Sequence, residues 1–203
     1  MDYPTVAGPY GFQPIKLIGG QVFAGATRQI PIASGSGTSI FYGDVVRLNT
    51  GGTLSRVSTT DSATDAVGIF LGCAFTNPTT KQFLQQQYYP ASTVASDIVA
   101  YVADDPDGYF KVAVLSNSTT IGGLVQADMG KNVAILATAG STTTGDSKEG
   151  VSATAGTTTT LPFRLVYGIP ETVNASGSFT EVVVKFNFGV HTYYSAASVA
   201  TAA

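Results

Sequence analysis

From residue 29 onward, apolar side chains recur at every second position through most of the chain, the period of a strand with one buried face. Val67, Ile69, Leu71, Cys73 and Phe75 form one such row, predicting five side chains on one sheet face. The smaller Ala66, Gly68, Gly72 and Ala74 lie opposite, with Phe70 as the exception. Leu161, Phe163, Leu165, Tyr167 and Ile169 repeat the alternation, and Pro162 points to an edge strand or a strand start. The clearest strand covers 179–188, where Thr180, Val182, Val184, Phe186 and Phe188 alternate with a mixed row of Phe179, Glu181, Val183, Lys185 and Asn187. Shorter strands are predicted over 28–33, 40–48, 98–103, 109–115 and 133–137, and a short helix only over 81–87. Turn chemistry separates them at Asn49-Thr50-Gly51-Gly52, Asn77-Pro78, 104–108 and 174–177. Short strands with frequent turns predict an all-β fold, an antiparallel β-sandwich or β-barrel with little helix.

The start of the chain breaks this pattern. Pro4, Gly8, Pro9, Gly11, Pro14, Gly19 and Gly20 interrupt any helix or long strand, so 1–28 reads as an extended N-terminal arm, followed by a β domain over 29–190 and a tail over 191–203. Tyr10, Phe12, Ile15, Leu17 and Ile18 are too apolar for a solvated segment and are the candidate partner-binding residues. The arm is expected to lie on a surface, that of its own domain or of a neighbour. Docking on a neighbour predicts that deleting residues 1–20 leaves the β core folded and weakens association. Within the domain, Ala-Thr-Ala-Gly-Ser-Thr-Thr-Thr at 137–144 is nearly repeated at 153–160. This near repeat suggests a projecting Thr/Gly-rich loop or ribbon over 137–160; coincidence in a low-complexity stretch is the other reading.

Composition narrows the function classes. Only 11% of the 203 residues are charged, against about 25% in an average soluble domain, while 44% are hydrophobic. Ser and Thr supply about a fifth of the chain and Gly another 23 residues. A neutral hydroxyl surface costs less to desolvate than a charged one, which suits a subunit packed against copies of itself or a scaffold. A secreted or merely Thr-rich β domain has the same composition. The net charge of −3 without a basic run argues against nucleic-acid binding. No signal peptide is apparent, and the longest apolar run, 69–75, is far short of the ~20 residues that span a bilayer, so no membrane association is expected.

Candidate chemistry is sparse. A lone cysteine, Cys73, reads as a small buried hydrophobe, and the one histidine, His191, lacks a nucleophile elbow or metal-ligand spacing around it. Asp104, Asp105 and Asp107 could offer oxygen ligands to a hard cation, but Asp-Pro followed by Asp-Gly is also ordinary turn chemistry. The glycine pairs lack the Lys-Ser/Thr of a phosphate-binding loop. No enzyme, cofactor or metal site is therefore expected. Tyr88-Tyr89 and Tyr193-Tyr194 could stack on sugars, which keeps a carbohydrate-binding adhesin-like module as an alternative.

An ordered series of short motifs adds a resemblance. Gly11-Phe12-Gln13-Pro14-Ile15 is followed by Ile40-Phe41-Tyr42-Gly43-Asp44-Val45-Val46 and Val67-Gly68-Ile69-Phe70-Leu71-Gly72-Cys73. Tyr101-Val102-Ala103-Asp104-Asp105-Pro106-Asp107, Phe110-Lys111-Val112, Gly130-Lys131-Asn132 and the stretch 142–170 continue it. Over roughly residues 10–190 the chain resembles the small virion structural proteins of tailed bacteriophages, the capsid decoration or cement proteins; Gln13 stands where that pattern leads one to expect a basic residue. The resemblance implies a non-enzymatic homotrimer, assembled in the host cytoplasm, that binds the virion capsid exterior. There it bridges neighbouring major capsid protein subunits. Burial at about 25 cal/mol per Å² of apolar surface, repeated at many equivalent sites, would oppose the outward pressure of packaged DNA. A tail, baseplate or fibre component is the nearest alternative.

Overall fold

The structure, a computed structural model, describes residues 8–58, 65–117, 120–170, 172, 180–187 and 200–201. The described chain is built from strands, with no α-helix among them and a 3-10 turn at Gln126–Asp128. In order the strands are β1 (Gln13–Leu17), β2 (Arg28–Pro31), β3 (Val45–Asn49), β4 (Leu54–Arg56), β5 (Ala66–Thr76), β6 (Phe83–Gln86) and β7 (Val99–Ala103). They continue with β8 (Gly108–Asn117), β9 (Thr120–Ile121), β10 (Asn132–Leu136), β11 (Gly150–Gly156), β12 (Phe163–Gly168), β13 (Glu181–Phe186) and β14 (Ala200–Thr201).

The C-terminal strands close into a barrel. β8 pairs with β11, β11 with β10, β10 with β12, β12 with β13, and β13 returns to β8. Closure removes sheet edges that would otherwise expose unpaired backbone groups. All these pairings are antiparallel except β8–β11, where Val114 and Leu115 lie beside Val151 and Ser152 in parallel. The alternation in β8, β12 and β13 puts Phe110, Val112, Leu165, Val182, Val184 and Phe186 inside. Phe163 stacks on Phe12 at 4.6 Å and leans on Phe186 at 4.8 Å, and Phe110 meets Phe186 edge-on at 5.4 Å.

A second sheet runs β2–β7–β5–β3, with β4 and β14 along β3 and β6 along β5. Val45, Ala66, Ile69 and Ala103 on one of its faces join the barrel core. Val67, Phe70, Cys73, Phe75 and Val102 form a second core on the other face, capped by loop residues Ile32, Ile40, Tyr89 and Ile98. β5 is therefore buried on both sides. The five side chains expected on one face are in fact divided: Ile69 and Leu71 face the barrel, while Val67, Cys73 and Phe75 face away. Two register shifts cause this, one beside Val67 in the pairing with β3 and one between Phe70 and Gly72 in the pairing with β7. Each extra residue turns the following side chains to the opposite face.

Two further expectations change. Residues 81–87 are not helical. Asn77 Oδ1 accepts from the Thr79 and Thr80 amides at 2.9 and 3.1 Å, the chain reverses, and Phe83–Gln86 pairs with the edge of β5. Glutamine-rich sequence tolerates a helix, but the open β5 edge supplies partners for its backbone. Within the stretch 137–160, residues Gly150–Gly156 do not project: they form β11, which lies in the barrel wall between β8 and β10. A Cβ on Gly150 would meet the Ala113 carbonyl oxygen at 2.7 Å, so glycine permits that close approach. Of the two surfaces expected for the arm, residues 13–17 lie on that of their own domain, as a strand pairing with β8 from Gln13 beside Lys111 to Leu17 beside Gly108.

Candidate functional site

Where the barrel meets the second sheet, two glycines let backbones cross. Gly11 and Gly43 both have positive φ, +80° and +91°, and a Cβ on Gly11 would meet the Gly43 carbonyl oxygen at 2.7 Å. The Phe12 amide donates to that oxygen at 2.9 Å, and the Ser147 amide donates to the Tyr42 carbonyl at 2.9 Å. This crossing carries the most concentrated charge of the interior. Asp44 and Glu149 are completely buried, and Arg56 reaches between them, its Nε 3.1 Å from Asp44 Oδ2 and its Nη2 2.8 Å from Glu149 Oε1. Backbone amides complete the cluster: Phe41 donates to Asp44 at 2.8 Å and Val45 to Glu149 at 2.8 Å. Burial pushes the Asp44 carboxyl up to about 6, against the pull of Arg56, and pushes Glu149 well above the usual carboxylate range, reinforced by the neighbouring Asp44 charge.

Two carboxyls thus share one arginine inside the fold, tying β3, β4 and the approach to β11 together. Arg56 is the member that reaches the surface, at a cleft of about 370 Å³ bordered by Arg47, Ser36, Thr38, Ser55 and Ser58. The carboxyls themselves face no open space, so the cluster holds the two layers in register.

The candidate partner-binding residues separate into different environments. Phe12 is fully buried in the barrel core, stacked on Phe163, and is not free to meet another molecule. Tyr10 lies half-buried with its hydroxyl donating to Glu181 Oε1, while Lys111 sits 5.2 Å above its ring and 3.3 Å from the same carboxylate. Burial, then the hydrogen bond to Glu181, raises the phenol far above its ordinary value. Ile15 and Leu17 are half-buried in β1, and Ile18 is 48% exposed at the turn that follows. Val22, 80% exposed, stands on the same hairpin, whose Leu17 amide donates to Gln21 O at 2.8 Å.

Comparison with known families, curated proteins and solved structures finds no match. The chain's own geometry therefore carries the functional reading. Its most organised surface is the outside of the barrel. Cross-strand register places Lys16 beside Tyr109, Tyr109 beside Lys185, Lys185 beside Arg164 and Arg164 beside Asn132, a row across five adjacent strands. Lys16 Nζ lies 5.7 Å from the Tyr109 ring centroid and 5.1 Å from that of Tyr167, close enough for cation–π attraction. Lys16, Lys111, Arg164 and Lys185 are four of the ten cations of a chain whose net charge is −3. Glu181 and Asp107 lie among them, Asp107 at 3.3 Å from Lys185. The exposed Ile18 and Val22 adjoin this face, since the Ile18 amide donates to the Asp107 carbonyl at 3.0 Å.

The remaining candidates take structural places. Asp104 pairs with Arg28 at 2.9 Å, Asp105 accepts from the Asp107 amide at 2.8 Å, and Asp107 turns to Lys185. Among the described residues no three His, Cys, Asp or Glu side chains are placed to hold a metal. Cys73 is buried, with its thiol pushed up to about 12 by desolvation. Tyr88 is stacked on Phe41 at 5.4 Å, and Tyr89 is wholly buried. His191, Tyr193, Tyr194, the turn at 174–177 and residues 1–7 of the arm lie outside the described residues, as does most of the 191–203 tail.

Sequence reasoning did not single out Asp44, Arg56 and Glu149, nor the cation–tyrosine row. Asp44 offered one signal, a charge inside an otherwise apolar strand segment. Arg56 and Glu149 offered none, because their significance lies in partners distant along the chain.

Proposed function

We propose that this chain is a virion structural subunit, a capsid decoration or cement protein. It would bind the outside of a tailed-phage icosahedral head as a homotrimer and bridge neighbouring major capsid protein subunits. On this reading it is no enzyme, and its site is a docking face. The observation that carries the proposal is the row of Lys16, Tyr109, Lys185 and Arg164 beside the exposed Ile18 and Val22. Cations held over tyrosine rings on the barrel wall are pre-positioned to meet carboxylates on a broad protein surface, and the apolar hairpin tip adds desolvated contact at its margin. The motif series and the scarcity of charge elsewhere support the same reading. Repetition over a shell makes modest single contacts sufficient.

A reconstruction of virions containing the chain is expected to place it on the outer head surface with β1, β8, β12 and β13 turned toward the shell. Its appearance in the tail, or its absence from particles, overturns the proposal. Sedimentation of the free protein is expected to give a trimer; a monomer at every concentration removes the oligomer from it.

A further inference from the structure

On the second sheet, β5 and its neighbours form a groove that neither core fills. Its floor is Gly72, at φ +136°, where a Cβ would meet the Gln86 carbonyl oxygen at 3.0 Å. Gly72 pairs with Tyr101 on one side, and Cys73 pairs with Gln86 on the other. The open space is about 450 Å³ and is bordered chiefly by Tyr42, Tyr101, Gln85, Gln86 and Gln87. No charged side chain lines it.

The lining has a consistent chemistry. Each glutamine carries a donor and an acceptor in one plane, a match for the neighbouring hydroxyls of a sugar ring. Gln87 is held in place, donating its amide to Asp146 Oδ1 at 2.6 Å and packing over Gly145. Gln86 borders the groove through its backbone, since its pairing with Cys73 turns its side chain toward the second core, whereas Gln85 and Gln87 alternate to the groove side. Tyr42 and Tyr101 are half-buried and offer an aromatic surface for the C–H face of a pyranose. A charged ligand would find no counter-charge in this lining, whereas a neutral polyol finds donors, acceptors and apolar surface together.

We propose that this groove binds a short stretch of neutral oligosaccharide, with Tyr101 and Tyr42 as stacking surface and Gln85 and Gln87 as the hydroxyl-reading groups. The site differs from the tyrosine pairs that suggested sugar binding in the sequence, since Tyr88 is occupied by Phe41. It is independent of the capsid reading, because binding is measured on the isolated protein.

The test titrates dextran, laminarihexaose, chitohexaose and mannan oligosaccharides into the full-length chain, following tyrosine fluorescence and calorimetric heat. At least one is expected to bind saturably in the range of about 10 μM to 1 mM. Tyr101→Ala and the exposed Gln85→Ala are each expected to weaken it by about tenfold or more, with Gln85→Ala leaving the melting temperature unchanged. Absence of saturable binding by all four saccharides overturns the proposal. So does binding that both variants leave intact. Self-association that Tyr101→Ala abolishes would assign the groove to a second copy and would likewise overturn it.

Discussion

Glu149 and Asp44 illustrate how a buried carboxyl makes stability depend on pH. Both are held above their ordinary range by burial, Asp44 at about 6, so the folded protein keeps protons that the unfolded chain releases. Unfolded carboxyls titrate near 4, and stability attributable to this pair is therefore expected to fall as pH rises from about 4 through 6, with Glu149 extending the decline upward. Glu149→Gln removes one ionisable member while keeping a hydrogen-bonding side chain, and is expected to flatten this slope in denaturant melts measured at several pH values. An unchanged slope would show that the pair does not titrate in this window. Arg56→Met leaves two buried carboxyls without their counter-charge; a loss of about 3–5 kcal/mol is expected in urea unfolding. Phe12→Ala opens the aromatic stack against Phe163 and is expected to cost about 3–5 kcal/mol by the same measurement. None of these roles could be assigned from the residues alone: Phe12 stood in a proline- and glycine-interrupted stretch that looked like an arm, and Glu149 lies 93 positions from the arginine it meets.

Among the elements, β5 and β1 depart most instructively from their sequence patterns. Alternation located β5 correctly, but two bulges, one in its pairing with β3 and one in its pairing with β7, redirected its side chains. A Cβ on Gly68 would meet the Ala103 carbonyl oxygen and Val102 Cγ1, both at 2.6 Å. Gly68→Ala is therefore expected to destabilise by about 1–3 kcal/mol, read as a lower denaturant midpoint with unchanged slope. β1 is part of the barrel wall and brings Phe12 with it, so deletion of residues 1–20 is expected to yield a destabilised or unfolded protein. A truncated chain that melts like full length would restore the reading of this segment as a detachable arm.

At the scale of the whole molecule, charge is distributed unevenly: four cations gather on one barrel face of an acidic chain. Exposed charges are screened over about 8 Å at physiological ionic strength, so contacts made by this face weaken with salt. The triple variant Lys16→Glu, Arg164→Glu, Lys185→Glu is expected to retain the fold, judged by circular dichroism, and to lose most binding to heads stripped of the protein in a co-sedimentation assay. Equal binding by wild type and variant would remove this face from the capsid contact while leaving the capsid reading itself open to the reconstruction.

The all-β class, the positions of most strands, the turn sites within the described residues and the scarcity of charge were determined by sequence alone, because alternation and turn chemistry act over a few neighbouring residues. Tertiary structure decided what joins what: closure of β8 through β13, the parallel entry of β11, the conversion of 83–86 from expected helix to strand, and the inward placement of Phe12. It also assembled the Asp44–Arg56–Glu149 cluster, the cation–tyrosine row and the glutamine groove. Each of these depends on register between segments far apart in the chain, where a shift of one residue would turn the side chain to the other face.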